Sequence, residues 1–403
     1  MVQRAAHPTK VSDKVTFLIV VLLLLPAAIT GFFVLEVLAG LARGRKRRHP
    51  PEGPARAVIV IPAHDEEAVL ENTLHALGNA LPSHASILVV ADNCTDRTAD
   101  VARAQGVRVV ERSDQDRRGK GFALDYARQT LAADPPDVVL VVDADCAIDR
   151  TSLTALIGTA AVRRRPCQSI NLLRPSPEAA PMVQVSTFAF MLKNVVRQRG
   201  LQRLAGRVHL TGTGMALPWA HFANADLATS SIVEDIRLGF ELAEAGFPPQ
   251  LVEEAIIWSS PSSEAGTLVQ RKRWEGGFLD MARRTAPGAM GRALRHLDLR
   301  GMAAALDLCV PPLALLGLVN VAVLIVAAAL TVLSGAHWWP VATFFIILSF
   351  MAAAVLAAWA REGRAFLSAR ALVRLPLYVL WKVPLYLGLT RRGAPSEWLR
   401  TGR

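Results

Sequence analysis

Asp143 and Asp145 are separated by one residue and follow the apolar run Val138–Val142. A continuous Val/Leu run of this length reads as a strand buried on both faces of a parallel sheet. Ligands in such sheets bind beyond the carboxyl ends of the strands. If strand geometry persists through the turn, side chains at i and i+2 point the same way, into that crevice. Two carboxylates placed there suit a hard divalent cation, which also prefers phosphate oxygens. Some 90 residues downstream stands a second acid pair, Glu234-Asp235. One carboxylate of that pair could act as general base without competing for the cation. Gln270, Arg273 and Trp274 have i, i+3, i+4 spacing and share one helix face. Trp can stack on a sugar ring, and Arg can grip a diphosphate at two points. Lys120, between Gly119 and Gly121 and close to Arg117 and Arg118, could neutralise phosphates.

Each feature has a plainer alternative. Asp143 and Asp145 could be solvated turn acids or a helix N-cap. Glu234-Asp235 could complement a helix N-terminus, and Trp274 could be an interfacial anchor beside lipid-facing arginines. Lys120 could sit on a surface turn; it is not part of a P-loop, because G-x-x-x-x-G-K-[ST] is missing. Cys94 and Cys146 read as small fillers rather than ligands, and His64 as structural rather than a base.

The elements that would carry these residues alternate at βαβ spacing. Strands are expected at Val58–Ile61, Ile87–Val90, Val107–Val110 and Val138–Val142, and helices at Glu66–Leu77, Thr98–Gln105 and Phe122–Leu131. That order argues for an α/β domain with a mostly parallel sheet covered on both faces, running to about Ala265. Asp65, Asp92 and Asp143 all fall just beyond strand carboxyl ends, which is the strongest residue-level argument for a single crevice. Phe188–Gln202 reads as a long helix with a basic end. Thr211-Gly-Thr-Gly-Met215 is a glycine-permitted turn, and Ile236–Ala245 a helix stopped by Gly246.

Composition sets the surroundings. The 403 residues are 52% hydrophobic with net charge +11, mean hydropathy +0.31 and pI about 10.1. Such a balance points to a membrane surface, anionic substrates or nucleic acid. Many charges flank apolar spans, and no helix-turn-helix, zinc-finger or RNP signature occurs, so a nucleic-acid partner is not expected. The four cysteines include no C-x-x-C pair, which leaves no zinc or redox motif and fits a reducing compartment.

After a polar tail (1–14), Val15–Leu41 is long enough to cross a bilayer, with Glu36 its one acid. Arg43-Gly-Arg-Lys-Arg-Arg48 follows, against only Arg4, Lys10 and Lys14 before it, so the downstream side should be cytoplasmic. Residues 42–57 form a basic linker. Leu268–Leu299 is helical and basic, expected to lie on an anionic membrane face within an interfacial region spanning 266–300. Pro311–Leu333 and Trp338–Ala360 are further span candidates within the C-terminal membrane region (301–403). Leu375–Leu389, interrupted by Pro376, Lys382 and Pro384, reads as interfacial or re-entrant, with a fourth crossing as the alternative.

Taken in order, Pro62-Ala-His64-Asp-Glu66-Glu67, Asp92-Asn-Cys-Thr-Asp96, Gly119-Lys120-Gly-Phe-Ala-Leu124, Asp143-Ala-Asp145, Glu234-Asp235 and Gln270-Arg-Lys-Arg273-Trp274 resemble the membrane-bound family 2 glycosyltransferases. That group includes the cellulose, hyaluronan and poly-N-acetylglucosamine synthases. The resemblance covers about 58–275 and implies a GT-A fold (58–265) and inverting transfer from a nucleotide sugar, with a UDP-sugar expected. Pro62, His64, Glu66, Asp92, Lys120, Asp143, Asp145 and Arg273 would then contact the donor. Asp92 would hold its uracil–ribose part, and Asp145 with Asp143 would hold Mg²⁺ or Mn²⁺ on its diphosphate. Asp235, beside Glu234, would take the acceptor proton. Gly212, Thr213, Gly214, Gln270 and Trp274 would lie on the acceptor side.

Two positions depart from the group: Ala91 replaces the first of two acids, and Val233 stands where Thr often precedes Glu-Asp. The expected activity is synthesis of a β-linked polysaccharide at the cytoplasmic face of the inner membrane, with a secretion protein as a possible partner. The alternative is one sugar transfer to a lipid or lipid-linked acceptor, because three or four spans are few for a polymer channel. A non-catalytic scaffold and an Asp-nucleophile phosphatase are the readings from other classes. Ala147 argues against the phosphatase, whose motif carries Thr or Val there.

Overall fold

The computed structural model describes residues 8–42, 55–231, 233–260 and 264–392. The first helix, α1 (Pro8–Leu41), is apolar throughout its middle and already helical within the expected polar tail. The Arg43–Arg48 run and the Pro50–Pro54 linker lie outside the described residues.

The α/β unit then builds strand by strand as β1 (Ala57–Ala63), α2 (Glu67–Ala80), β2 (Ala85–Asp92), α3 (Thr98–Ala104), β3 (Arg108–Arg112), α4 (Lys120–Leu131) and β4 (Val138–Val141). β1 pairs in parallel with β2 and β4, and β2 in parallel with β3. β5 (Cys146–Ile148), α5 (Arg150–Arg163) and β6 (Cys167–Leu173) follow. A helical stretch comes next: α6 (Pro181–Met191), a π-helical turn at Leu192–Arg197 and α7 (Gln198–Ala205). The unit closes with β7 (Met215–Pro218), α8 (Trp219–Ala223), α9 (Glu234–Glu244) and β8 (Gln250–Ser259).

All eight strands form one sheet in the order β3-β2-β1-β4-β7-β6-β8-β5. It is mostly parallel, with β7 and β5 running antiparallel to their neighbours. The apolar runs are buried on both faces, as their lack of alternation implies: Ile59, Ile61, Val89 and Leu140 pack on one side, Val60, Leu88, Val90 and Val141 on the other.

Strand geometry does not extend through the acid pair. β4 stops at Val141, and the N–H of Cys146 donates to the Asp143 carbonyl at 3.1 Å, closing a turn. The two aspartates are brought together by that turn and not by strand continuation. The long helix expected at Phe188–Gln202 is helical throughout but contains the π turn.

Beyond the sheet come α10 (Glu264–Arg295), α11 (Leu299–Cys309), α12 (Leu313–Ser334), α13 (Trp339–Ala358), α14 (Ala369–Leu372), α15 (Leu375–Trp381) and α16 (Val383–Arg392). Among the described residues, three stretches are helical, long and apolar enough to cross a membrane: Ser12–Leu41, Leu313–Ser334 and Trp339–Gly363. The Asn320 amide of α12 donates to Thr30 Oγ1 of α1 at 2.8 Å, a polar tie inside the apolar bundle.

α10 corrects part of the expected surface helix. Arg271 is buried, and its guanidinium donates to Ser186 Oγ and to the Ser186 carbonyl, each at 2.9 Å. Phe278, Ala282 and Ala286 pack on Val233, Ile236, Phe240 and Leu308. The solvated basic face is restricted to residues such as Arg283 and Arg284. The Leu375–Leu389 stretch is divided between α15 and α16. Lys382, at the break, turns inward onto Glu275, whose other oxygen accepts from the Tyr386 hydroxyl at 2.8 Å. A buried lysine needs such a partner, which explains a charge in the middle of an apolar stretch.

Candidate active site

A cavity of about 1000 Å³ opens at the carboxyl ends of β1, β2 and β4. Its walls hold Pro62, His64, Glu66, Asp92, Lys120, Asp143, Asp145, Gly212, Thr213, Glu234, Asp235, Gln270, Arg273 and Trp274. Residues spread over more than 200 positions of sequence thus share one crevice. Gly214 is placed behind the wall, where its N–H donates to the Val141 carbonyl at 2.8 Å.

The nucleotide end is built on the first two strands. Asp65 and Asn93 both have φ of 53°, and their side chains tie the turns together: Asp65 Oδ1 accepts from the Thr95 N–H at 2.7 Å, and Asn93 Oδ1 from the Asp114 N–H at 2.7 Å. His64 Nδ1 donates to the Asp92 carbonyl at 2.7 Å, which makes the histidine a brace. The Glu66 N–H donates to Thr98 Oγ1 at 2.8 Å. Asp92 Oδ1 accepts from Arg112 Nη1 at 2.6 Å. Burial raises the Asp92 pKa, and Arg112 partly opposes this.

The centre is held by the Thr211–Gly214 turn. Gly212 and Gly214 have φ of 80° and 64°, values that glycine adopts without steric cost. Thr213 Oγ1 accepts from the Asp143 N–H at 3.0 Å, and the Gly212 carbonyl accepts from Lys120 Nζ at 2.7 Å. The turn therefore fixes both the first aspartate and the lysine. Lys120 also pairs with the Asp143 carboxylate. Burial opposes its charge, but Asp143, Glu234 and Asp235 around it hold its pKa above the ordinary value. Lys120 is thus enclosed in the site and does not occupy a surface turn.

Oxygens of Asp143 and Asp145 and the Cys146 sulfur lie within 4.8 Å of one another. Burial pushes the Cys146 thiol far up, and it packs against Ser259 Oγ at 3.1 Å, so it is a neutral filler. That leaves two hard carboxylates converging on one point, a donor set suited to a hard divalent cation and not to zinc.

Glu234 and Asp235 open α9. Burial raises both pKa values; for Glu234, with Asp235 beside it, the value reaches about 8. Two adjacent half-buried acids cannot both ionise cheaply. Asp235 Oδ1 accepts from the Ile236 N–H at 2.8 Å, and Lys120 and Lys193 both act on it electrostatically. Asp235 is therefore the member better stabilised as a carboxylate, and Glu234 the one that retains a proton near neutrality.

The far end is aromatic and cationic. Trp274 and Phe190 have ring centroids 5.7 Å apart, and the Arg271 guanidinium lies 5.4 Å from each. Several lining residues escape a sequence reading: Lys193, Arg197, His209 and Asn171. Arg112, which braces the lining residue Asp92, could also have been found, since it ends a parallel strand. Lys193 and Arg197 carried no comparable signal. They reach the cavity through the π turn, which no side-chain periodicity announces.

The model of the family described as "Glycosyltransferase like family 2" matches residues 54–277. The chain is 24% identical over 233 residues to the probable glycosyltransferase YdaM of Bacillus subtilis (strain 168), covering 54% of each. It is 31% identical over 121 residues to glycosyltransferase AglD of Haloferax volcanii, covering 27% of this chain and 19% of that one. The chain thus spans about half the length of the first of these curated relatives and less of the second. Among solved structures it is similar to the mannosyltransferase PcManGT of Pyrobaculum calidifontis, solved with GDP-Man and Mn²⁺. The TM-score is 0.55 at 17% identity, over 86% of this chain and all of that one. That likeness establishes the GT-A-type fold. With a family model spanning more than half of its length, this chain belongs to the family 2-like glycosyltransferases.

Proposed function

We propose that this protein is a metal-dependent, inverting glycosyltransferase that takes a nucleotide sugar from the cytoplasmic side and transfers the sugar to an acceptor held at the membrane. One observation carries the reading: Asp143 and Asp145, Asp235 and Trp274 all line a single cavity. Asp92, held in place by Arg112, offers an acceptor to a base edge. Asp143 and Asp145 would hold Mg²⁺ or Mn²⁺; when bound there, the cation neutralises the diphosphate and stabilises the leaving nucleotide. Lys120, already beside Asp143, adds a second positive charge at the same place.

Asp235 takes the proton of the acceptor hydroxyl. The acceptor oxygen bonds to the anomeric carbon as the bond from that carbon to phosphate oxygen breaks, and the electron pair leaves with the nucleoside diphosphate. A single displacement of this kind inverts the anomeric centre. The resemblance to UDP-sugar users favours a UDP-sugar; the mannosyltransferase of similar fold was solved with GDP-Man, so both nucleotides belong in the test.

For the acceptor, single transfer to a lipid is favoured by the cavity wall itself: Val310 and Pro312, at the start of membrane-length α12, and Tyr378 of α15 line it. The reading as a polysaccharide synthase, with or without a secretion partner, is favoured by the Gln270–Trp274 motif. Purified protein in nanodiscs, given Mg²⁺ or Mn²⁺ and radiolabelled UDP- and GDP-sugars, separates them. A chloroform-soluble product of defined mass is expected. High-mass, glycosidase-sensitive label would replace the lipid reading with the polymer one, and no transfer from any donor would contradict both.

A further inference from the structure

The π-helical turn at Leu192–Arg197 places Lys193 and Arg197, four residues apart, in the cavity wall. Single π turns inside α-helices are often found at functional sites. The two cations differ in what meets them. Arg197 is fully engaged: Nε donates to Glu36 at 2.5 Å and Nη2 to Asp307 at 2.6 Å. Arg271, nearby, is committed to Ser186. Lys193 has no carboxylate partner among the described residues; its ammonium lies over the Phe278 ring at 5.3 Å. On the donor side of Asp235, by contrast, Lys120 is paired with Asp143. Asp235 feels both ammoniums, so one side of the base carries a satisfied cation and the other an unsatisfied one.

A half-buried ammonium that feels Asp235 and Asp307 but is hydrogen-bonded to neither, with Arg197 and Arg271 close by, is incompletely neutralised. Burial, reinforced by Arg197, lowers the Lys193 pKa, whereas an added anion would restore it. The walls around it are Phe190, Trp274 and Phe278, and the membrane-side wall is Val310, Pro312 and Tyr378. These aromatic and aliphatic walls suit an acyl chain better than an extended glycan.

We propose that Lys193 seats the phosphate of an anionic membrane lipid, whose hydroxyl is thereby presented to Asp235 as the sugar acceptor. This rests on the transferase reading above. The reaction balances as written there: the lipid hydroxyl gives its proton to Asp235, and its oxygen replaces the nucleoside diphosphate on the anomeric carbon. The phosphate keeps all of its own bonds.

The test is direct binding to the full chain in detergent, with dioctanoyl phosphatidylglycerol against dioctanoylglycerol as probes, followed by Trp fluorescence. Wild-type protein is expected to bind the phospholipid roughly tenfold or more tightly, as loss of a charge-assisted bond implies. Lys193→Gln should remove that preference and Lys193→Arg should largely restore it, with nucleotide-sugar affinity within about twofold in both, which also reports on folding. Equal binding of the two lipids, or an unchanged preference in Lys193→Gln, overturns the proposal. So does a Lys193→Gln variant whose loss falls on nucleotide-sugar binding, since that places the lysine on the donor side. Preference for a uronic-acid oligosaccharide over phosphatidylglycerol would overturn the lipid assignment. Wild-type protein that separates the lipids but binds no nucleotide sugar would overturn the transferase reading and not the anion seat.

Discussion

At the scale of single residues, the site works by setting like groups in unlike surroundings. Asp143 and Asp145 meet the cavity in a turn beside a lysine, whereas Glu234 and Asp235 meet it side by side at a helix start. The first pair is suited to holding a cation and the second to handling a proton. Burial and the adjacent Asp235 lift the Glu234 pKa from 4.5 to about 8. In the unfolded chain Glu234 releases its proton near the ordinary value, so its contribution to stability is complete below that value. It is lost as pH rises towards 8. Glu234→Gln is neutral at every pH. In metal-free protein the melting temperature of that variant should therefore gain on the wild type as pH climbs from 4.5 to 8. A difference that stays flat across the window, followed by thermal unfolding at stepped pH, would contradict the assignment. Candidates such as Asp92 and Asp143 could be picked out because each lies at or just beyond a strand end that the α/β pattern singles out. The roles within the Thr211–Gly214 turn could not. That turn braces Asp143 and Lys120 through a hydroxyl and a carbonyl, contacts that no spacing reveals.

At the scale of elements, the long apolar helix α1 and the α/β unit are joined by close backbone packing. A Cβ placed on Gly40 of α1 would run into the Val196 carbonyl, and one on Gly200 of α7 into the Glu36 carbonyl. These approaches let Glu36 reach Arg197, and Arg197 reach Asp307, which also pairs with His209. Although burial opposes it, His209 and Arg197 hold the Asp307 carboxyl well below the usual range. Gly200→Ala should push α1 away from the π turn and cost about 1–3 kcal/mol, visible as a lower melting temperature in detergent. A variant as stable as the wild type would show that the two elements are not packed as described. The apolar span and its lone acid were plain in the sequence, but the acid's partner was not. A contact across more than 160 positions leaves no local trace, and the π turn that aims Arg197 interrupts the helical period.

At the scale of the whole molecule, a parallel-sheet domain opens its strand ends towards helices that are long and apolar enough to cross a bilayer. The βαβ alternation could be read far enough to place the crevice, since parallel strands all end at the same edge of the sheet. The antiparallel insertion of β7 between β4 and β6 could not, because it depends on the long return through α6 and α7. The central claim is that one cavity joins donor, cation and base. Its most direct test is metal-dependent sugar transfer by the full-length chain in nanodiscs, comparing wild type with Asp235→Asn while nucleotide-sugar binding is followed separately. Transfer should fall by about 10²–10⁴-fold with donor affinity nearly unchanged. Transfer at the wild-type rate in Asp235→Asn would contradict the account.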